Sequence, residues 1–222
     1  MNKIKGIFFD LDGTLIDTLE GITESINHCL DLRGLKNISI DQCKSMIGWS
    51  FYVLIKKAFE PVELSEKEIK NIHIELLNYY QKKDLSINKV YDGVFDLLNF
   101  LKGTDLALYV VTNKEQKSAD MVINYFFKDI FKGVSGASEN LKKPNPEMIY
   151  RLSKENLNNC LFIGDSEVDI ETAINANCIP LGVSWGFRTI ETLKNKKSDI
   201  KIINKPMDLI KFYSEKDKCL YF

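Results

Sequence analysis

The feature that most restricts this chain lies near its start. An apolar run, Ile4 to Phe9 broken only by Lys5 and Gly6, stops at Asp10-Leu11-Asp12-Gly13-Thr14-Leu15. Two carboxylates at alternate positions, then a glycine and a threonine, admit two readings. Asp-Gly between apolar runs is a hairpin signal. The same residues fit a buried parallel strand that delivers acids to its C-terminal edge, where open α/β sheets bind ligands. The rest of the chain decides between them.

From Thr18 the pattern turns helical. Leu19, Ile22, Ile26, Cys29, Leu30 and Leu32 recur near helical spacing up to Gly34, a residue suited to a C-cap. Ser39 to Ile47 and Ser50 to Phe59 predict two shorter helices parted by Gly48-Trp49, and Pro61 ends the second. Ser65-Glu66-Lys67-Glu68 is a capping-box signature opening a longer helix, with the stripe Ile69, Ile72, Leu76, Leu77 and Tyr80. Residues 17–88 thus read as an inserted helical bundle without a strand.

After Tyr91-Asp92-Gly93 strands and helices alternate. Strands are expected at Leu106 to Val111, Gly133 to Ala137, Cys160 to Gly164, Pro180 to Trp185 and Ile200 to Asn204. Helices are expected at Val94 to Leu101, Glu115 to Phe127, Val168 to Ala176, near Thr189 to Lys196, and from Met207. Asn145 suits an N-cap with Pro146 as first helical residue. Such alternation predicts an α/β fold, a Rossmann-like parallel sheet with right-handed crossovers. The expected division is a core of 1–16 plus 89–222 and a helical cap of 17–88.

Composition narrows the function. Lys and Arg number 30 against 31 Asp and Glu, a net charge of -1 that gives no electrostatic reason to expect nucleic acid or an anionic membrane. No apolar segment approaches the roughly 20 residues that span a bilayer. The acidic motif arrives too early to leave room for a signal peptide, so a cytoplasmic location is expected. The five cysteines never fall as C-x-x-C, which suggests neither a disulfide framework nor zinc. His28 and His73 are the only histidines, which disfavours a histidine-ligated metal.

Three of the expected strands end alike, with polar groups directly after the apolar run: Asp10 and Asp12, Thr112 and Asn113, and Asp165 followed by Asp169. In a parallel sheet these ends share one edge. Lys143, singled out from Lys142 by its place before Pro144, falls between the second and third. Carboxylates beside a lysine and a hydroxyl make a hard-cation site next to an anion site. Oxygen ligands suit magnesium, and the lysine and hydroxyl suit a phosphoryl group. Each piece also has a plainer use: Thr112-Asn113 and Asp165-Ser166 are residue types that cap helices.

Taken together, these segments resemble the haloacid dehalogenase superfamily, in its phosphoglycolate-phosphatase-like branch with a helical cap of the C1 type. The resemblance runs from Ile4 to about Phe212. It rests on Asp10-Leu11-Asp12-Gly13-Thr14-Leu15, Val111-Thr112-Asn113, Lys143-Pro144-Asn145-Pro146-Glu147 and Gly164-Asp165-Ser166-Glu167-Val168-Asp169. It implies a Mg2+-dependent phosphatase of a small phosphorylated metabolite, such as phosphoglycolate or a sugar phosphate, working through an aspartyl-phosphate. Asp10 would be the nucleophile and Asp12 the general acid and base. Magnesium would be held by Asp10, the backbone carbonyl of Asp12, and Asp165, with Asp169 orienting metal-bound water or Lys143. Thr112, the Asn113 amide and Lys143 would hold the phosphoryl oxygens.

Alternatives within the resemblance are a sugar phosphomutase of the β-phosphoglucomutase kind and a pyrophosphatase; outside enzymes, a catalytically idle binding domain. In this branch the cap chooses the substrate. Gly48 and Trp49 match where a substrate-facing cap loop is often placed, although Trp49 also suits the cap core. Asn177 stands where the family often has glycine, and asparagine tolerates the left-handed conformation there. Trp185-Gly186-Phe187 matches a loop at the border of the site. A monomer or homodimer is expected.

Overall fold

The computed structural model describes residues 3–48, 51–83, 85–214 and 219–220. The chain forms two units, Met1–Ile16 with Val90–Phe222, and Asp17–Lys89. It opens with β1 (Gly6–Phe9) and a two-residue strand β2 (Ile16–Asp17), then α1 (Leu19–Asp31), α2 (Ile40–Met46), α3 (Phe51–Ala58) and α4 (Glu66–Lys82). A second short strand, β3 (Lys89–Val90), leads to α5 (Val94–Lys102), β4 (Ala107–Glu115), α6 (Gln116–Phe126) and β5 (Gly133–Ala137). The chain continues through α7 (Glu147–Tyr150), β6 (Cys160–Gly164), α8 (Glu167–Asn175), β7 (Ile179–Val183), α9 (Ile190–Lys196) and β8 (Lys201–Ile203).

The first unit is built on a six-stranded sheet of order β5-β4-β1-β6-β7-β8. Every pairing in it is parallel. This settles the choice at the N-terminus against a hairpin: β1 pairs with β4 and β6, Phe9 lying against both Val110 and Ile163. All four β1 residues are buried, as a strand covered on both faces requires. One face is packed by Phe8, Tyr109, Val111, Phe162, Met148, Ile149 and Ala173, with the Phe8 and Tyr109 rings stacked at 5.0 Å. The strand order reverses between β1 and β6, where an α/β sheet opens a crevice at its C-terminal edge.

The second unit is helical. Its core joins Ile26, Cys29 and Leu30 of α1, Ile55 and Ala58 of α3, and Ile69, Ile72 and Leu76 of α4. Two of its helices open on capping boxes, Ser39 with Gln42 and Ser65 with Glu68. α1 closes on Gly34, whose φ is 64°; the Leu35 and Gly34 amides donate to Leu30 and Asp31 carbonyls, a Schellman ending. Among the described residues no helix is long and apolar enough to cross a membrane.

Three elements differ from the sequence expectation. β4 continues through Thr112 and Asn113 to Glu115, because β5 goes on pairing with it past an irregularity that ends at Glu115. α7 spans only Glu147–Tyr150, with Asn145 Oδ1 accepting the Glu147 amide at 3.0 Å. The expected last helix from Met207 is a tight 3-10 helix, Pro206–Phe212. Trp49 lies outside the described residues; Gly48 has φ 117°.

Candidate active site

The C-terminal edge of the sheet gathers the acids that the strand ends carry. Asp10, Asp165 and Asp169 are all buried, and one carboxylate oxygen from each lies within 4.8 Å of the others. β1 supplies Asp10, whose amide donates to Ile163 O at 2.9 Å, so the ladder with β6 persists as far as this acid. Asp165 follows β6 directly, and Asp169 is one helical turn further on, in α8.

Lys143 joins two of these acids. Its Nζ donates to Asp10 Oδ1 and to Asp169 Oδ1, both at 2.6 Å. The side chain of Asn113 places it, accepting the Lys143 amide at 2.7 Å and donating to its carbonyl at 3.4 Å. Asn113 therefore spends its side chain on the lysine loop. Thr112 Oγ1 accepts the Lys114 amide at 3.1 Å, so its O–H remains a donor.

Both oxygens of Asp169 are engaged. Oδ2 accepts from the Ser166 amide at 3.0 Å and its hydroxyl at 2.6 Å, forming the capping box of α8, while Oδ1 meets Lys143. Asp165 is held differently: the Phe187 amide donates to Oδ2 at 2.6 Å and the Thr14 hydroxyl to Oδ1 at 3.4 Å. The Trp185 indole donates to Thr14 O at 3.0 Å, so the loop 185–187 braces the acid and the turn after β1.

Two glycines make this approach feasible. A Cβ on Gly13, where φ is 93°, would stand 2.5 Å from Asp165 Oδ2; one on Gly186 would stand 2.2 Å from Asp165 Cβ. Neither distance is compatible with a side chain.

The cluster is short of positive charge. Burial pushes Asp10 well above the usual carboxylate range, with Asp169 adding to the rise and Lys143 opposing it. Burial and then Asp169 push Asp165 up to about 7 against the Phe187 amide, Lys143 and Arg188. For Lys143 burial acts downward, but Asp10 and Asp169 outweigh it and hold the ammonium above the ordinary lysine range. One buried ammonium among three packed carboxylates leaves room for a hard cation to let all three ionise.

Asp12 does not join the carboxylate cluster. Its side chain is paired with Lys114, Nζ to Oδ1 at 3.0 Å. Sequence reasoning missed this lysine. Nothing in its local pattern marks it, since the pairing depends on β4 lying beside β1. The loop of Phe187 was matched to the border of the site, but its backbone N–H meeting Asp165 is a product of tertiary folding.

The chain as a whole is similar to proteins already known. A model of the family described as haloacid dehalogenase-like hydrolase matches residues 7–183. A phosphoglycolate phosphatase of Rhodobacter capsulatus is 34% identical over 187 residues, covering 82% of this chain and 85% of that protein. One from Psychrobacter arcticus is 31% identical over 209 residues, covering 89% and 88%. Among solved structures, a predicted phosphoglycolate phosphatase from Haemophilus somnus 129pt superposes with a TM-score of 0.85 at 31% identity, covering 95% of this chain and 98% of that one.

Proposed function

This chain belongs to the haloacid dehalogenase-like hydrolase family and is a phosphatase, and from that premise we propose that it hydrolyses a small phosphomonoester in two steps through an aspartyl-phosphate on Asp10. The observation that carries the reading is the buried group of Asp10, Asp165 and Asp169 with Lys143 between two of them.

The Asp10 carboxylate oxygen attacks phosphorus while the bond from phosphorus to the leaving oxygen breaks. The proton on Asp12 passes to that oxygen, releasing the alcohol. A water then attacks the phosphoryl group, Asp12 takes its proton, and the bond from phosphorus to Asp10 breaks to give inorganic phosphate. Lys143, the Thr112 hydroxyl and the Asn113 backbone N–H hold the phosphoryl oxygens. Asp10, Asp165 and the Asp12 carbonyl would be the oxygen donors for Mg2+, which would offset the charge between carboxylate and phosphate. Asp169 acts through Lys143, since both of its oxygens already have partners in this chain. The relatives' substrate makes 2-phosphoglycolate the first compound to try, in a cytoplasmic setting.

The test is release of 4-nitrophenolate from 4-nitrophenyl phosphate with Mg2+, followed by a panel of 2-phosphoglycolate, sugar phosphates, nucleotides and pyrophosphate. Asp10→Asn is expected to lower turnover by about 10³-fold or more; full activity in that variant, contaminants excluded, would refute the nucleophile. Asp12→Asn is expected to give one burst of nitrophenolate and a trapped phosphoenzyme. Interconversion of sugar phosphate isomers without phosphate release would replace hydrolase by mutase.

A further inference from the structure

Lys114 comes directly after the Thr112-Asn113 pair on β4 and has no part in the two-step chemistry assigned to Asp10 and Asp12. Its side chain is 1% exposed, and Nζ reaches both oxygens of Asp12, 3.0 Å to Oδ1 and 3.4 Å to Oδ2. The meeting is a product of the sheet. Phe9 pairs with Val110, so the residues just past each of these positions run side by side. The Thr112 hydroxyl oxygen fixes the Lys114 backbone by accepting its amide.

Placing an ammonium where water is excluded is costly unless it is paired and hydrogen-bonded. Asp12 is the acid that meets this one. Asp12 itself stands on a turn, one residue before Gly13 with its φ of 93°, and its side chain is 13% exposed. The lysine is the more deeply buried of the two, its side chain enclosed along the whole stem.

We propose that Lys114 is a positioning residue for the proton shuttle, holding the Asp12 carboxylate in one orientation through both halves of the reaction. A protonated carboxyl keeps one acceptor oxygen. Lys114 can therefore donate to Oδ1 whether or not Oδ2 carries the proton. This inference rests on the reading of Asp12 as the general acid and base.

The test uses leaving groups of different basicity. An aryl oxide departs with little help, whereas an alkoxide must be protonated as it leaves. Lys114→Met keeps the length and apolar stem and removes the donor; Lys114→Arg keeps a donor, and either variant that folds by circular dichroism can be read. Single-turnover phosphorylation of Asp10 by 4-nitrophenyl phosphate is expected to stay within about threefold of the parent in Lys114→Met, while that by 2-phosphoglycolate or a simple alkyl phosphate falls by about 30-fold or more. Lys114→Arg is expected to recover part of that loss. Equal losses for both leaving groups, or none, would overturn the proposal, because a merely structural role lowers both together. Asp12→Asn is run alongside. If it too fails to separate the leaving groups, the shuttle reading falls and takes the inference with it. If it separates them and the lysine variants do not, only the inference falls.

Discussion

At the scale of single residues, the site depends as much on missing atoms as on charged ones. Asp165 is clasped between Gly13 and Gly186, and a methyl at Gly186 would also come within 2.5 Å of the Gly13 carbonyl. Gly186→Ala is therefore expected to destabilise the protein by about 1–3 kcal/mol, the range for overpacking a filled interior, and to weaken Mg2+ binding because Asp165 must move. Thermal unfolding and calorimetric titration with Mg2+ read the two effects; unchanged affinity would mean that the loop does not set the acid. Residue types at strand ends were legible from the sequence because aspartate, threonine, asparagine and lysine carry chemistry in their side chains. Gly186 and the Phe187 amide carry it in backbone and empty space, so the resemblance marked their loop while their roles beside Asp165 came only from the fold.

At the scale of elements, one local device serves two purposes. Ser65 with Glu68 and Ser166 with Asp169 are the same reciprocal cap. In α4 the box is exposed and only anchors a helix. In α8 it is buried, and the acid that closes it also receives Lys143. Ser65→Ala is expected to cost about 1 kcal/mol, seen as faster amide exchange in the first turn of α4, with kcat unchanged. Ser166→Ala is expected to lose a similar cap and in addition to lower kcat, because Asp169 no longer holds Lys143 in place. Equal kcat in the two variants would separate the α8 cap from the chemistry. Helix starts of this kind were readable from a few adjacent letters. The end of the chain was not: a helix is expected from Met207, whereas among the described residues Pro206–Phe212 is wound as a 3-10 helix. The reach of β4 to Glu115 was hidden too, since it is set by pairing with β5 rather than by its own residues.

For the molecule as a whole, the buried acids link folding to pH and to metal. Asp165 is held up at about 7 by burial and Asp169, against about 3.9 in an unfolded chain. Between these values the folded protein binds more protons than the unfolded one. This group's contribution to stability in the metal-free protein therefore falls as pH rises through that window. Mg2+ favours the ionised form, so the rise in Tm on adding Mg2+ is expected to grow from about pH 5 to about 7 and then level off. Comparing thermal unfolding with Mg2+ and with a chelator at each pH separates the acids of this cluster, Asp10 and Asp165, from titrating groups elsewhere. A rise that does not change with pH would mean that Asp165 is ionised without the cation.

The position of β1 has a consequence for synthesis. Its two neighbours in the sheet, β4 and β6, come after the whole Asp17–Lys89 unit in the chain. While the protein leaves the ribosome, β1 emerges first and finds neither partner until residues 107–115 and then 160–164 have been made. An apolar strand without partners is a hazard for aggregation, and the helical unit, whose contacts are local, can form in the interval. Of the residues gathered around Asp10, Lys143 is made before β6, and Asp165 and Asp169 only after it. A nascent chain arrested before Gly164 holds Asp10 and lacks Asp165 and Asp169, so the carboxylate cluster is incomplete until translation has passed that strand.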